Sequence, residues 1–124
     1  MLATVGAIYG YDKGCVAIAT GFHRVLSDEY PDATAEFCRC ASSVMQSSVR
    51  RKLAVVSPFS KIWKAEVVKY AVEHAIPLEL TYSCYSGDKE HCGLCPGCKK
   101  RREAFTSAGI EDPTHYVNGS SQGG

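Results

Sequence analysis

Cys15-Val16-Ala17-Ile18-Ala19-Thr20 is a short unbroken apolar run, and Leu53-Ala54-Val55-Val56-Ser57 is a second, closed by Pro58. Runs of this length without polar alternation suit strands buried on both faces of a parallel sheet. Between them, starting at Ala35, Phe37, Cys40, Ala41, Val44 and Met45 recur at helical spacing. Strand, helix, strand in that order predicts parallel strands with helices on both faces, an α/β doubly wound sheet. Outward from this unit, Leu2 to Tyr11 reads as a buried helix stopped at Lys13-Gly14. Gly21 to Thr34 is polar, and Tyr30-Pro31-Asp32 marks it as a loop. Trp63, Val67, Tyr70, Ala71 and His74 form the stripe of a further helix that ends before Pro77, with Lys64 on its polar side. Leu78 to Ser83 reads as extended, and Lys99 to Ala108 as a last helix with Gly109 at its C′ position. Two clear strands and a third candidate are few for this architecture, which points to part of the fold lying elsewhere.

The chain has 124 residues, 45% apolar and 22% charged, with a formal net charge of +1. That length allows one domain with a real core, independent of disulfides. The near-zero charge argues against a nucleic-acid footprint over the whole domain. No run reaches the ~18 apolar residues a membrane span needs. Met1 to Val5 carries no basic residue ahead of its apolar ones, so the expected location is cytoplasmic, with thiols kept reduced. Residues 117–124, rich in Gly, Ser and Asn, are expected to be a disordered tail.

Seven cysteines make a complete disulfide framework impossible. Four of them follow Cys84-x7-Cys92-x2-Cys95-x2-Cys98, with Gly93 and Gly97 placed to supply tight turns. Two residues between ligands let the backbone present both sulfurs to one ion, and four thiolates close a tetrahedral zinc site with no position open for substrate. Such a site is structural. Its surplus negative charge could be offset by Lys99, Lys100, Arg101 and Arg102, which follow directly. An iron–sulfur cluster is the rival occupant, since Cys92-x2-Cys95-x2-Cys98 also suits cluster binders. Four incidental buried thiols are the bland alternative, and Cys15, Cys38 and Cys40 read as small core residues.

Thr81-Tyr82-Ser83-Cys84-Tyr85-Ser86-Gly87, the cysteine block, Arg101-x-x-Ala104-Phe105 and Asp112-Pro113-Thr114-x-Tyr116 together resemble 7-cyano-7-deazaguanine synthase. Asp28-x-Tyr30-Pro31-Asp32 and Lys64-Ala65-Glu66 extend the likeness upstream, over nearly all residues to Tyr116. That resemblance implies an ATP pyrophosphatase-like fold ending in a four-cysteine zinc knuckle (84–98) and helix, with residues 1–116 as the C-terminal part of the domain. It implies an ATP-dependent synthase of queuosine and archaeosine precursors. Such an enzyme adenylates 7-carboxy-7-deazaguanine, admits ammonia to give an amide, and dehydrates the amide to the nitrile with a second ATP. The family holds nucleotide phosphate on a Ser-Gly-Gly-x-Asp-Ser loop at a helix start, where backbone N–H groups converge.

No such loop occurs in these 124 residues. The expectation is therefore the substrate- and zinc-bearing half of the synthase, with ATP as co-substrate only if the missing half is supplied. The partner expected is a chain carrying the ATP loop, or a second copy in a homodimer. A non-catalytic zinc-containing deazapurine-binding module is the alternative, and a zinc-knuckle nucleic-acid binder a weaker third. By the resemblance, Asp28, Tyr30 and Asp32 are candidate substrate contacts and Lys64 a candidate phosphate contact; no catalytic residue is assigned. Asp28 and Asp32 could equally cap a loop, and Tyr30 could simply pack. His91, lying between cysteines, is a candidate substitute ligand. Ser57, at a strand end, is a candidate for a ligand cleft, because open parallel sheets bind ligands beyond their carboxyl strand ends.

Overall fold

In the computed structural model, which describes residues 2–24, 30–49, 52–87 and 89–118, both apolar runs become strands. The chain separates into two units, Met1–Trp63 and Lys64–Gly124.

The first unit contains helix α1 (Leu2–Asp12), strand β1 (Ala17–Ala19), helix α2 (Ala35–Ser48) and strand β2 (Ala54–Val56). The strands pair in parallel, with Ala17 opposite Ala54, Ile18 opposite Val55 and Ala19 opposite Val56. Ala7, Cys38, Met45, Leu53 and Val55 form the core, joined by Ile18, Phe22, Phe37 and Ala41. Within this unit both helices therefore pack on the sheet face that carries Ile18 and Val55. Strand alternation puts Ala17, Ala19, Ala54 and Val56 on the opposite face, where Ala19 and Val56 are exposed.

α1 forms where expected but is not the buried helix its composition suggests. It approaches the core through a stripe of small residues, Ala3, Gly6, Ala7 and Gly10, and the Gly6 backbone lies against the Ile18 side chain. Its large residues point away: Leu2 is 89% exposed, Ile8 69% and Tyr9 67%. α2 buries Cys38 and Met45 with Phe37 and Ala41 beside them, leaving Cys40 and Val44 outside. The reading of all three spare cysteines as core residues thus holds for Cys38 alone, because Cys15 and Cys40 are exposed. Leu53 is the most enclosed apolar side chain of this unit, 1% exposed. Burial of that kind contributes about 2 kcal/mol.

The carboxyl ends of the two strands are tied together. The Thr20 N–H donates to the Val56 carbonyl at 2.8 Å, the Ser57 hydroxyl to the Phe22 carbonyl at 2.8 Å and the Arg24 N–H to the Ile62 carbonyl at 2.7 Å. Ser57 is thus a staple between strand exits, not a group left facing a cleft. Pro31–Ala33 forms a single 3-10 turn that runs into α2, whose first turn is capped by the Thr34 hydroxyl accepting from the Phe37 N–H at 3.1 Å.

The second unit contains α3 (Lys64–Glu73) and α4 (Pro96–Ala108), packed through Val68, Ala104 and Phe105 with Leu78, Ala108 and Ile110 around them. α3 buries Val68 and Ala71, with Lys64 and Val67 half-buried; of the expected stripe Ala71 is buried, whereas Trp63, 44% exposed, Tyr70, 43%, and His74 face outward. Leu78–Leu80 is a 3-10 turn opened by Pro77, not the start of a strand, so the sheet has two strands among the described residues. Gly109 ends α4 in the left-handed region at φ 70°, and the Ile110 N–H reaches back to the Phe105 carbonyl at 3.1 Å. No helix among the described residues is long and apolar enough to cross a membrane.

Candidate metal centre

The sulfurs of Cys84, Cys92, Cys95 and Cys98 all lie within 4.8 Å of one another, with Cys84 and Cys95 at 3.9 Å. A tetrahedron of thiolates around zinc, with metal–sulfur bonds of about 2.3 Å, has edges of about 3.8 Å. The donor set fits one ion. Gly93, at φ 77°, makes the turn that brings Cys92 and Cys95 together. Gly97 does something different from the expected turn. It sits in the first turn of α4, where a Cβ would overlap the Ser83 carbonyl oxygen, so it lets the segment entering Cys84 lie against the helix.

Backbone amides converge on the sulfurs. Cys84 accepts from the N–H groups of Cys92 at 3.3 Å and Ser86 at 3.4 Å, and its sulfur lies 3.0 Å from the Ser86 hydroxyl. Cys95 accepts from Tyr85 at 3.3 Å and Cys98 at 3.4 Å, the second bond also capping α4. Such bonds favour the thiolate. The Cys92 amide, followed by the Ser86 groups, lowers the Cys84 thiol to about 5. The Tyr85 and Cys98 amides also lower that of Cys95. Cys98, 0% exposed, goes the other way: burial first, and its sulfur neighbours next, push it up to about 12. The amides thus favour the thiolate at Cys84 and Cys95, burial opposes it at Cys98, and a bound cation would favour ionisation of all four sulfurs.

The knuckle is held by a buried polar network. Arg101, 3% exposed, donates through Nε to Asp112 Oδ1 at 3.1 Å, through Nη1 to the Thr81 hydroxyl at 2.6 Å and through Nη2 to the Leu78 carbonyl at 3.1 Å. Asp112 also accepts from the Thr114 N–H at 3.1 Å and the Tyr116 hydroxyl at 2.5 Å. His91 is buried at the other end, its Nε2 accepting from the Ser83 N–H at 3.0 Å, and it pairs with Tyr116 in a parallel bridge. His91 is accordingly outside the sulfur set, and Arg101 serves the chain path and not the thiolates. Arg102 stacks its guanidinium 4.0 Å from the Tyr116 ring centre. Sequence reasoning left Asp112 and Tyr116 without a role. Their signal was the Asp-Pro-Thr turn, in which an aspartate caps the residue two places on.

A closed thiolate knuckle on a Pro-opened helix, locked to a downstream Asp–Tyr segment, is the geometry against which relatives can be judged. The family profile described as "Queuosine biosynthesis protein QueC" matches residues 1–109. The chain belongs to that family. It is 34% identical over 116 residues to the 7-cyano-7-deazaguanine synthase of Methanothermobacter thermautotrophicus, covering 94% of this chain and 52% of that protein. It is 40% identical over 112 residues to 7-cyano-7-deazaguanine synthase 2 of Sulfurisphaera tokodaii, covering 89% and 24%. Against the synthase of Chelativorans sp. the identity is 39% over 102 residues, covering 81% and 44%. The chain therefore spans about half the length of two of these relatives and a quarter of the third.

The residues that the QueC resemblance singles out fall in both units. Tyr30 is half-buried, and Asp32 is exposed in the 3-10 turn just before α2, so these two share one turn. Asp28 lies outside the described residues. Lys64 belongs to the second unit, and its expected place on a polar face is corrected by the structure: it shares the α3 stripe with Val68 and Ala71. Burial, then the charges of Arg101 and Lys100, hold its ammonium below the usual lysine range.

Proposed function

We propose that these residues are the substrate- and zinc-bearing part of an ATP-dependent 7-cyano-7-deazaguanine synthase, completed by a nucleotide-holding segment outside them. The carrying observation is the near full-length match of this chain to synthases of which it spans about half. The four thiolates would hold zinc as a structural ion. Sulfurs this close leave room for a single ion, which favours zinc over a multi-iron cluster. With no coordination position open, the ion supplies rigidity and not Lewis acidity.

The chemistry then falls to organic groups. Tyr30 offers a ring against which a planar deazapurine can stack. Asp32, with Asp28 beside it in sequence, offers carboxylates that accept from the N–H groups of the heterocycle. Lys64, in the second unit, offers a cation to a phosphate oxygen, and its partial burial strengthens that attraction. The strand exits are stapled by Ser57, which keeps the loop leading from β1 in place. The sheet this requires is the doubly wound ATP pyrophosphatase type, of which β1 and β2 are two strands.

The test is a comparison of three samples of the folded, zinc-loaded chain. The chain alone is titrated with 7-carboxy-7-deazaguanine by calorimetry. Chain plus the part of the Methanothermobacter synthase it does not match is then given ATP, ammonia and the acid, and AMP and nitrile are followed by mass spectrometry. The same mixture made with Asp32→Asn should lose substrate affinity. Binding without turnover in the mixture would leave a deazapurine-binding module. Neither binding nor turnover would overturn the proposal.

A further inference from the structure

We infer that Arg102 is the counter-cation of the four-thiolate centre, held against the knuckle by a strap, Tyr116 to Asn118, that folds back over it. Guanidinium and strap together set how tightly an ion is kept. The inference rests on the metal reading above and goes beyond it, to residues outside the ligand set.

Four thiolates around one divalent ion leave a formal charge of about −2. Amides reaching Cys84 and Cys95 spread that charge without cancelling it. Cancelling it takes a cation. Four basic residues follow Cys98 directly, and the structure sends them to different places. Lys99 is exposed. Lys100 lies near the Lys64 ammonium, toward α3. Arg101 is engaged by Asp112, Thr81 and Leu78. Arg102 is the one that turns to the knuckle.

Two observations place it there. The first is register: Cys98 and Arg102 stand four apart on α4, and long helical side chains lean toward the N-terminus. The guanidinium therefore covers the turn that carries Cys98. The second is contact. Arg102 Nη2 lies 3.2 Å from the point where a Cβ on Gly93 would stand. Gly93 is the buried turn between Cys92 and Cys95, and its N–H donates to the sulfur of Cys98. The guanidinium thus rests on the very turn whose amide serves Cys98, the most enclosed of the four sulfurs.

The strap fixes this arrangement from the other side. Tyr116 pairs with His91 in a parallel bridge, and the Val117 N–H donates to the His91 carbonyl at 2.9 Å. The Asn118 carbonyl then packs on Gly93 so closely that a methyl group there would overlap its oxygen. Between these anchors the Tyr116 ring carries the Arg102 guanidinium at 4.0 Å, and its hydroxyl is tied to Asp112. An aromatic face fixes the plane of a guanidinium without cancelling its charge. Covering the turn also keeps water from it, which strengthens the attraction between cation and thiolates.

The experiment loads the chain with zinc or cobalt and competes each ion against a chromophoric chelator. Arg102→Gln should keep the cobalt bands of four sulfur ligands and yet lose affinity at least roughly tenfold, as groups just outside a metal's ligand set do. Arg102→Lys keeps the charge and should recover the larger part. The gap between the parent chain and Arg102→Gln should narrow as salt rises, because Arg102 is only half-buried. Tyr116→Leu should speed zinc release as Arg102→Gln does, and the double variant should do no worse than the worse single one. Should Arg102→Gln not fold, Arg102→Met is the neutral variant to use; should Tyr116→Leu not fold, the Arg102 variants decide alone. Full affinity in the neutral variant, equal loss in the neutral and lysine variants, a gap that salt leaves unchanged, or full additivity in the double variant would each overturn the inference. A parent chain without sulfur bands would sink the metal reading as well. Tight four-sulfur binding indifferent to residue 102 would sink this inference alone.

Discussion

Arg101 and Asp112 pair at 3.1 Å with side chains only 4% and 13% exposed, and this pair joins the helix that ends the knuckle to the segment that closes over it. The guanidinium also holds Leu78 and Thr81, so one side chain sets the path into Cys84 and the path out of α4.

Removing one partner of such a pair leaves a buried charge uncompensated. Arg101→Met should cost about 3 kcal/mol in urea unfolding, and Asp112→Asn less, since its amide oxygen can still accept. Arg101→Lys should behave nearly as badly as the methionine variant, because one ammonium cannot reach three acceptors held in a fork. A lysine variant as stable as the parent chain would show that charge alone matters.

The same network sets two pH limits. Burial alone would raise the Asp112 carboxyl, but the Tyr116 and Thr114 hydrogen bonds and the Arg101 charge outweigh it and hold it below its ordinary 3.8. Its contribution is therefore present above that value and lost as pH falls through the depressed one. Tyr116 is shifted the opposite way, upward from 10.0, by burial and then by Asp112. Its contribution is present below pH 10 and lost above it. Melting temperature against pH should fall at both ends, and Tyr116→Phe should flatten the alkaline fall. An unchanged alkaline limb in that variant would assign it to other groups.

The clustering of the four cysteines was legible because Cys-x2-Cys spacing has few other uses. Arg101 was not, since a run of four basic residues looks like solvated charge. What distinguishes it is register: Cys98, Arg101, Ala104, Phe105 and Ala108 share one face of α4, and that face is buried or partly so. Lys64 hid in the same way, on the stripe of Val68 and Ala71. The outer face of α1 misled in the other direction, because apolar composition does not say which partner covers it. Both strands were found but came out three residues long, since a strand extends only as far as its neighbour pairs with it.

Zinc uptake should release protons and strengthen with pH. Cys84, already low, has little to give up near neutrality, whereas Cys98 must lose a proton held up to about 12. A titration in weak buffer with a pH dye should show proton release that is reduced in Cys98→Ser. That variant should also lose metal affinity by at least roughly a hundredfold, since a neutral hydroxyl replaces a thiolate ligand. Cobalt in place of zinc should give the d–d bands of tetrahedral thiolate coordination. Octahedral spectra would refute the closed four-sulfur site.

Gly97 in the first turn of α4 and Gly109 just past its end make different predictions for zinc affinity on the same change. At Gly97 the φ is helical, and alanine should by propensity alone help the helix by up to about 1 kcal/mol. A methyl there would overlap the Ser83 carbonyl oxygen and sit 2.9 Å from the Tyr85 ring, and the backbone that would have to yield carries Cys84 between those two residues. Gly97→Ala should therefore lower both stability and zinc affinity. At Gly109 nothing lies within 4 Å of a new methyl, but φ is 70°. Gly109→Ala should cost only the left-handed strain, about 1 kcal/mol, and leave zinc affinity unchanged. If Gly97→Ala also spared the metal, the close approach of Ser83 to the helix would not be what positions Cys84.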